Sequence, residues 1–128
     1  MSDDLINEFN SVAAEANRLR KMGQNIVFVS GNFNVIHPGH LRFLTFAANS
    51  GDYLIVGVNR DQAPTVYVPE ALRLEGIRNL TIVNNSCILP YSLEECINLL
   101  KPDVIVKVRN TKIPITKKKI FLVVITEN

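Results

Sequence analysis

Cysteine is scarce in this chain, with two among 128 residues, and that scarcity excludes a disulfide-stapled fold. Cys87 and Cys96 have no C-x-x-C spacing and no histidine close in sequence, so neither a zinc site nor a redox pair is indicated. Both read as reduced core or near-surface thiols. Long apolar runs are also missing. None nears the roughly 20 residues that a membrane-spanning helix requires, and membrane insertion is not expected. The first residues, Met1-Ser2-Asp3-Asp4, are acidic where a secretory signal would be basic and then apolar, which points to a cytoplasmic protein. Charge of one sign is lacking too. The net charge of +2 is too small to argue for nucleic acid or a membrane surface, and Lys117-Lys118-Lys119 reads as a solvated turn. No internal repeat, low-complexity tract or interdomain linker interrupts the chain.

What is present is the composition of a globular domain, 47% hydrophobic and 20% charged, in a chain long enough for one hydrophobic core. A single domain over 1–128 is expected, with an N-terminal helix (1–23) and an α/β core (24–128). Leu5, Ile6, Phe9, Val12, Ala13, Ala16 and Leu19 recur at helical spacing over 4–22, and Gly23 stands where a helix would stop. Ile26-Val27-Phe28-Val29 is a short apolar run rich in β-branched residues, the pattern of a strand buried on both faces. Further strands are expected at 53–58, 81–83, 104–106 and 120–125. Helices are expected at 39–49, 69–80 and 93–100, the last opened by Ser92 and Glu95 as a capping box and ended by Pro102. The polar, proline-punctuated stretch 59–69 reads as a loop. Alternation of strand and helix implies right-handed crossovers. The expected fold is therefore α/β: a Rossmann-like, doubly wound parallel sheet of about five strands in a three-layer α/β/α sandwich, with an extra N-terminal helix.

In such sheets, ligands bind past the carboxyl ends of the strands, near the point where the strand order reverses. Both histidines of the chain follow the first strand, in Ser30-Gly31-Asn32-Phe33-Asn34-Val35-Ile36-His37-Pro38-Gly39-His40. Pro38 suits the first turn of the next helix. With a helix starting there, His37 and His40 lie three apart and project from one face of its opening turn. A helix N-terminus offers unpaired N–H groups and partial positive charge. The imidazoles add donors, and Gly39 leaves room for close approach to the backbone. This pattern suits a phosphate, and such donors could stabilise charge that develops during attack at the α-phosphorus of a triphosphate. Two other readings stand at this point: histidines that flank a turn, and a metal site. The latter is poor because no Cys, Asp or Glu lies beside the pair, and no protein-held metal is expected.

The run from Gly31 to His40, followed by Gly51-Asp52-Tyr53-Leu54-Ile55-Val56-Gly57-Val58-Asn59-Arg60-Asp61, resembles the cytidylyltransferase-like nucleotidyltransferases with their HxGH motif. Within that family it is most similar to the adenylyltransferase domain of ADP-heptose synthase and to glycerol-3-phosphate cytidylyltransferase. Pro102-Asp103-Val104-Ile105-Val106-Lys107 resembles the family's later strand and lysine. The resemblance implies an enzyme of EC 2.7.7 type that transfers AMP or CMP from ATP or CTP to a phosphorylated sugar or polyol and releases pyrophosphate. Lipopolysaccharide-core or lipid-precursor sugar biosynthesis is the implied setting.

By the same resemblance, His37 and His40 are the catalytic residues, at the phosphates and the transition state. Gly31, Asn32, Phe33, Asn34, Gly39, Gly57, Asn59, Asp61, Arg73 and Lys107 are the implied nucleotide-binding positions. Arg73 reads equally as a surface arginine on its helix, and Lys107 as the end of a strand. Magnesium held mainly by substrate phosphates and a homodimer are also implied. The chain departs from the family at several points. Asn34 stands where Asp is usual, Asn32 where Cys, Thr or Ser is common, and Val108 where Gly is expected. The stretch between Asp61 and Arg73 is short and lacks the lysine that relatives place over the phosphates. No Ser/Thr-rich closing segment is recognisable near the C-terminus. These departures support a second expectation, a nucleotide-binding module of the same fold with impaired catalysis.

Overall fold

A computed structural model describes residues 2–34, 36, 38–61, 68–108 and 121–125. Helix α1 (Ser2–Lys21) buries Phe9, Val12, Ala16 and Leu19 at helical spacing. Asp3 and Asp4 in its first turn, with Arg18, Arg20 and Lys21 in its last, complement the helix dipole. It closes with a Schellman motif: the N–H of Gly23 donates to the Arg20 carbonyl and that of Gln24 to the Leu19 carbonyl, at 3.0 and 3.1 Å. Gly23 has φ +89°, a conformation that glycine alone adopts cheaply.

The core then alternates β1 (Ile26–Gly31), α2 (Pro38–Ala48), β2 (Tyr53–Val58), α3 (Glu70–Arg78), β3 (Asn85–Ile88), α4 (Leu93–Leu100), β4 (Val104–Val108) and β5 (Phe121–Ile125). The five strands form one parallel sheet in the order β3-β2-β1-β4-β5. The order reverses between β1 and β4, so β1 leads out at the switch point of the sheet. Ile26 to Val29 are all fully buried, which requires cover on both faces. Alternating side chains of a strand point to opposite faces. Ile26 and Phe28 accordingly join Phe9, Val12 and Leu19 of α1 and Cys96, Ile97 and Leu100 of α4. Val27 and Val29 join Leu44 and Ala47 of α2 and Leu74 and Ile77 of α3. The expected three layers are present.

The extra helix is tied into this framework. Arg20 Nη2 donates to the Leu100 carbonyl at the end of α4 at 2.6 Å, and Asp103 Oδ2 accepts the Ile26 N–H at 2.8 Å. Ser92 caps α4 by accepting the Glu95 N–H at 3.2 Å, as its sequence suggests. Lys101 then leaves the helix in the left-handed region. Among the described residues no helix is long and apolar enough to cross a membrane.

One expected element is displaced. Thr81 and Ile82 form a turn, and the third strand begins later, at Asn85. Ile82 and Val83 still pack on the apolar cluster. Pairing with β2, however, is opened by Asn84, whose Oδ1 accepts the Leu54 N–H at 2.7 Å while its own N–H donates to the Leu54 carbonyl. β3 lies at the sheet edge, where Asn85 and Ser86 are tolerated, and so it lacks the apolar run that marks the central strands. Lys117-Lys118-Lys119, and the parts of the expected loop and last strand at 62–67 and 120, lie outside the described residues.

Candidate functional site

The carboxyl end of β1 turns into α2 over a few residues. The helix begins at Pro38, one residue before the expected 39–49 span, so Gly39 and His40 occupy its opening turn. His40 is half-buried and lies edge-on to the Phe33 ring, with centroids 5.7 Å apart and planes at 61°. His37 lies outside the described residues. Phe33 is itself unusual: it is buried and has φ +52°, a region costly for a bulky side chain. Its ring folds back over Gly31, where an added Cβ would stand 3.0 Å from Phe33 Cε2. Gly31 is thus the space that Phe33 fills.

Behind this turn sits Arg73, in the first turns of α3. Its side chain has no accessible surface, which overturns the reading of a surface arginine. All three guanidinium nitrogens donate. Nε bonds the Val68 carbonyl at 2.7 Å, Nη1 the Asn32 carbonyl at 2.7 Å, and Nη2 the Asp61 Oδ1 at 2.9 Å. A buried guanidinium needs this many partners to offset its lost hydration. Asp61 in turn donates its N–H to Glu70 Oε1 at 3.0 Å, and Glu70 Oε1 also lies 3.8 Å from Arg60 Nε. Asn34 Oδ1 accepts the Val68 N–H at 3.4 Å. Asn32 and Asn34 after β1, Asp61 after β2, and Val68, Glu70 and Arg73 at the start of α3 are therefore joined by hydrogen bonds.

On the α4 side of the sheet edge, an open cleft of about 740 Å³ is lined by Ser30, Gly31, Asn32, Asn59, Arg60 and the segment Leu89 to Leu93. Asn59 Nδ2 donates to Asn32 Oδ1 at 2.9 Å, and the Asn59 N–H to the Gly31 carbonyl at 2.9 Å. The cleft presents hydroxyls (Ser30, Tyr91, Ser92), amides (Asn32, Asn59) and the exposed Arg60, and Asp61 adjoins it in sequence beyond Arg60. That inventory suits a hydroxylated ligand carrying an anionic group.

Of the expected positions, Gly31, Asn32 and Asn59 share this cleft, Phe33 and His40 are in ring contact at the start of α2, which also carries Gly39, and Asn34, Asp61 and Arg73 belong to the hydrogen-bond network. Gly57 lies in the core, where an added Cβ would meet Leu89 Cδ2 at 2.6 Å and Phe28 Cε1 at 3.0 Å. Lys107 is half-buried on β4, across the switch point, in register with Val124. Leu89, Pro90, Tyr91 and Arg60 escaped the sequence reading. Their signal was position, directly after the third and second strands, and placing the third strand too early hid it.

The two cysteines are free and buried. Burial pushes the Cys87 thiol up to about 12 and raises Cys96 as well, so both stay protonated at neutral pH and neither is a nucleophile. Among the described residues no group of three His, Cys, Asp or Glu could hold a metal ion.

Comparison with known proteins adds the following. The family model described as Cytidylyltransferase-like matches residues 28–124. The chain is 33% identical over 121 residues to the bifunctional protein HldE of Sulfurimonas denitrificans, covering 83% of this chain and 24% of that protein. Over 106 residues it is 38% identical to HldE of Paramagnetospirillum magneticum, covering 76% and 22%. It thus spans about a quarter of the length of these bifunctional relatives. It is also 36% identical over 85 residues to an FAD synthase of Methanosarcina acetivorans, covering 62% and 56%. The lipopolysaccharide core biosynthesis protein of Thermoplasma volcanium shares the fold, with a TM-score of 0.72 at 22% identity over 82% of this chain and 98% of that one.

Proposed function

This chain belongs to the cytidylyltransferase-like family of nucleotidyltransferases, and on that premise we propose that it transfers AMP or CMP from ATP or CTP to a phosphorylated sugar or polyol. The observation that carries this reading is the start of α2 at Pro38, directly beyond the central strand and beside the sheet's switch point, with His40 in its first turn. There the positive end of the helix dipole and the imidazole meet the triphosphate, with His37 as the second donor. A phosphate oxygen of the acceptor attacks the α-phosphorus. A new P–O bond forms, the bond to the bridging α–β oxygen breaks, and pyrophosphate leaves with its electron pair. The attacking group comes from the second substrate, so the buried thiols have no part in the reaction.

His40 supplies hydrogen bonds to charge that grows on the phosphates, which is the usual origin of rate enhancement in such sites. Mg²⁺ would arrive on the nucleotide's phosphates and supply further charge neutralisation there. The hydroxyl- and amide-lined cleft supports a polyhydroxylated acceptor. We also propose that the chain acts as a homodimer.

A second reading, nucleotide binding without turnover, is favoured by Asn34. Its neutral amide ties to the Val68 N–H, where the family usually has a carboxylate. One experiment separates the two. Incubation with Mg²⁺, ATP or CTP and a panel of phosphorylated sugars and polyols should release pyrophosphate. His40→Ala and His37→Ala should each lower the rate by about 10²–10³-fold. Nucleotide affinity with no pyrophosphate above the variants' level would select the second reading.

A further inference from the structure

The strained turn that presents His40 is held from a distance. We infer that Arg73 is a positioning residue for His40, acting by fixing the peptide before Phe33 so that the Phe33 ring stays beneath the imidazole. Four observations carry this. Arg73 is fully buried yet charged, and an apolar side chain of similar volume would fill its place without the desolvation cost. What an apolar residue could not do is hold carbonyl groups. One of the two carbonyls it holds belongs to Asn32, 41 positions away in the chain, and therefore to the peptide whose orientation determines φ at Phe33. That φ is +52°, a conformation that a bulky residue keeps only where its surroundings over-determine it. The ring so directed lies against His40.

The chain of contacts runs from α3 through Arg73, the Asn32 carbonyl and Phe33 to the first turn of α2. Asn59 holds the Asn32 side chain at 2.9 Å, so Asn32 is held at its side chain as well as at its carbonyl. With the Arg73 donors removed, Phe33 is free to relax to negative φ and withdraw its ring. His40 then loses its supporting face while the bulk of the fold remains. The consequence for phosphate binding rests on the function proposed above. The structural link itself does not.

The test uses the full chain and the His40 imidazole resonances in NMR spectra, distinguished from those of His37 with a His37→Gln variant. Arg73→Met keeps volume and removes every donor, Arg73→Lys keeps the charge but not the planar fork, and Phe33→Leu removes the ring alone. Leu74→Ala, a buried neighbour on α3, controls for lost stability. The expected result is that Arg73→Met displaces the His40 resonances as Phe33→Leu does, that the double variant adds nothing further, and that Leu74→Ala leaves them in place. Arg73→Lys should give an intermediate displacement, and it carries the comparison if Arg73→Met does not fold. His40 resonances unmoved in the folded Arg73 variants, or displacements that simply add in the double variant, would overturn the inference. ATP and CTP titrations form a separate arm, with affinity expected to fall roughly tenfold in Arg73→Met, the effect of misaiming one charge-assisted donor. A wild-type protein that binds neither nucleotide would refute the nucleotidyltransferase reading, yet the resonance comparison would still decide the role of Arg73.

Discussion

Replacing Gly57 by alanine asks whether the wall of the cleft is set by packing or by a ligand. An added Cβ would stand 2.6 Å from Leu89 Cδ2, 2.9 Å from Leu89 Cγ and 3.0 Å from Phe28 Cε1. Both neighbours are enclosed, Leu89 at 4% and Phe28 at 0% exposure, and only the cleft that Leu89 lines gives it room to yield. Overpacking of this kind costs about 1–3 kcal/mol. Against it, alanine restricts the unfolded chain and recovers about 0.4–1 kcal/mol, and the backbone at Gly57 is not in the left-handed region that would add strain. The net expectation is a loss of about 1–2 kcal/mol, a five- to thirtyfold shift in the folding equilibrium. Leu89→Ala alone should cost about 2–5 kcal/mol through the cavity it leaves. In that background the new methyl has space, and the penalty of Gly57→Ala should disappear. Urea unfolding of the four proteins measures the coupling, expected at about 1–2 kcal/mol. Effects that add to within about 0.5 kcal/mol, or a Gly57→Ala protein as stable as the parent, would refute this account and return Gly57 to the list of ligand-facing candidates.

Three further outcomes are expected. Ser92→Ala should lower stability by about 1 kcal/mol through loss of the α4 cap, and Ser92→Asp should restore most of it; thermal unfolding of both checks this. Cys87 links stability to alkaline pH. Its thiol ionises near 9 in the unfolded chain and at about 12 in the fold, so its contribution is complete below pH 9 and declines between pH 9 and 12 by about 1.4 kcal/mol per unit. Unfolding curves of Cys87→Ala over that window should be correspondingly flatter than the parent's, and equal slopes would exclude the thiol as the cause. Gly23→Ala, at φ +89°, should destabilise the end of α1 by about 1 kcal/mol, whereas Gly23→Asn should be milder. Amide exchange in residues 19–24 would report both.

Much of the fold was legible along the chain, and the reason differs by element. The β2 and α4 boundaries were read where the structure has them, because a continuous apolar run and a capped, proline-ended helix are local signals. Pro38 suited the first turn of α2 for the same reason, although the span expected, 39–49, lies one residue late at each end. The third strand was misplaced because it is short, at the sheet edge and half polar, so its period carries little information. The site was legible only in its motif. Gly31, Asn32 and Asn59 were named from the resemblance and do share a cleft, but Leu89, Pro90 and Tyr91 enter it only because β3 ends beside β2.

Arg73 shows where sequence stops. Its partners stand 5, 12 and 41 positions away, and nothing in a helical pattern distinguishes a solvated arginine from one enclosed on every side. Sequence by itself determined the order of strands and helices, the parallel sheet they imply and the histidine-bearing turn, since these depend on periodicity, caps and glycine or proline at single positions. Only the tertiary structure decided which polar groups are buried together: the guanidinium against the Asn32 carbonyl, the left-handed Phe33 under His40, Gly57 beneath Leu89. Burial and hydrogen-bond satisfaction depend on the segments that close around a residue, and those segments are remote in the chain.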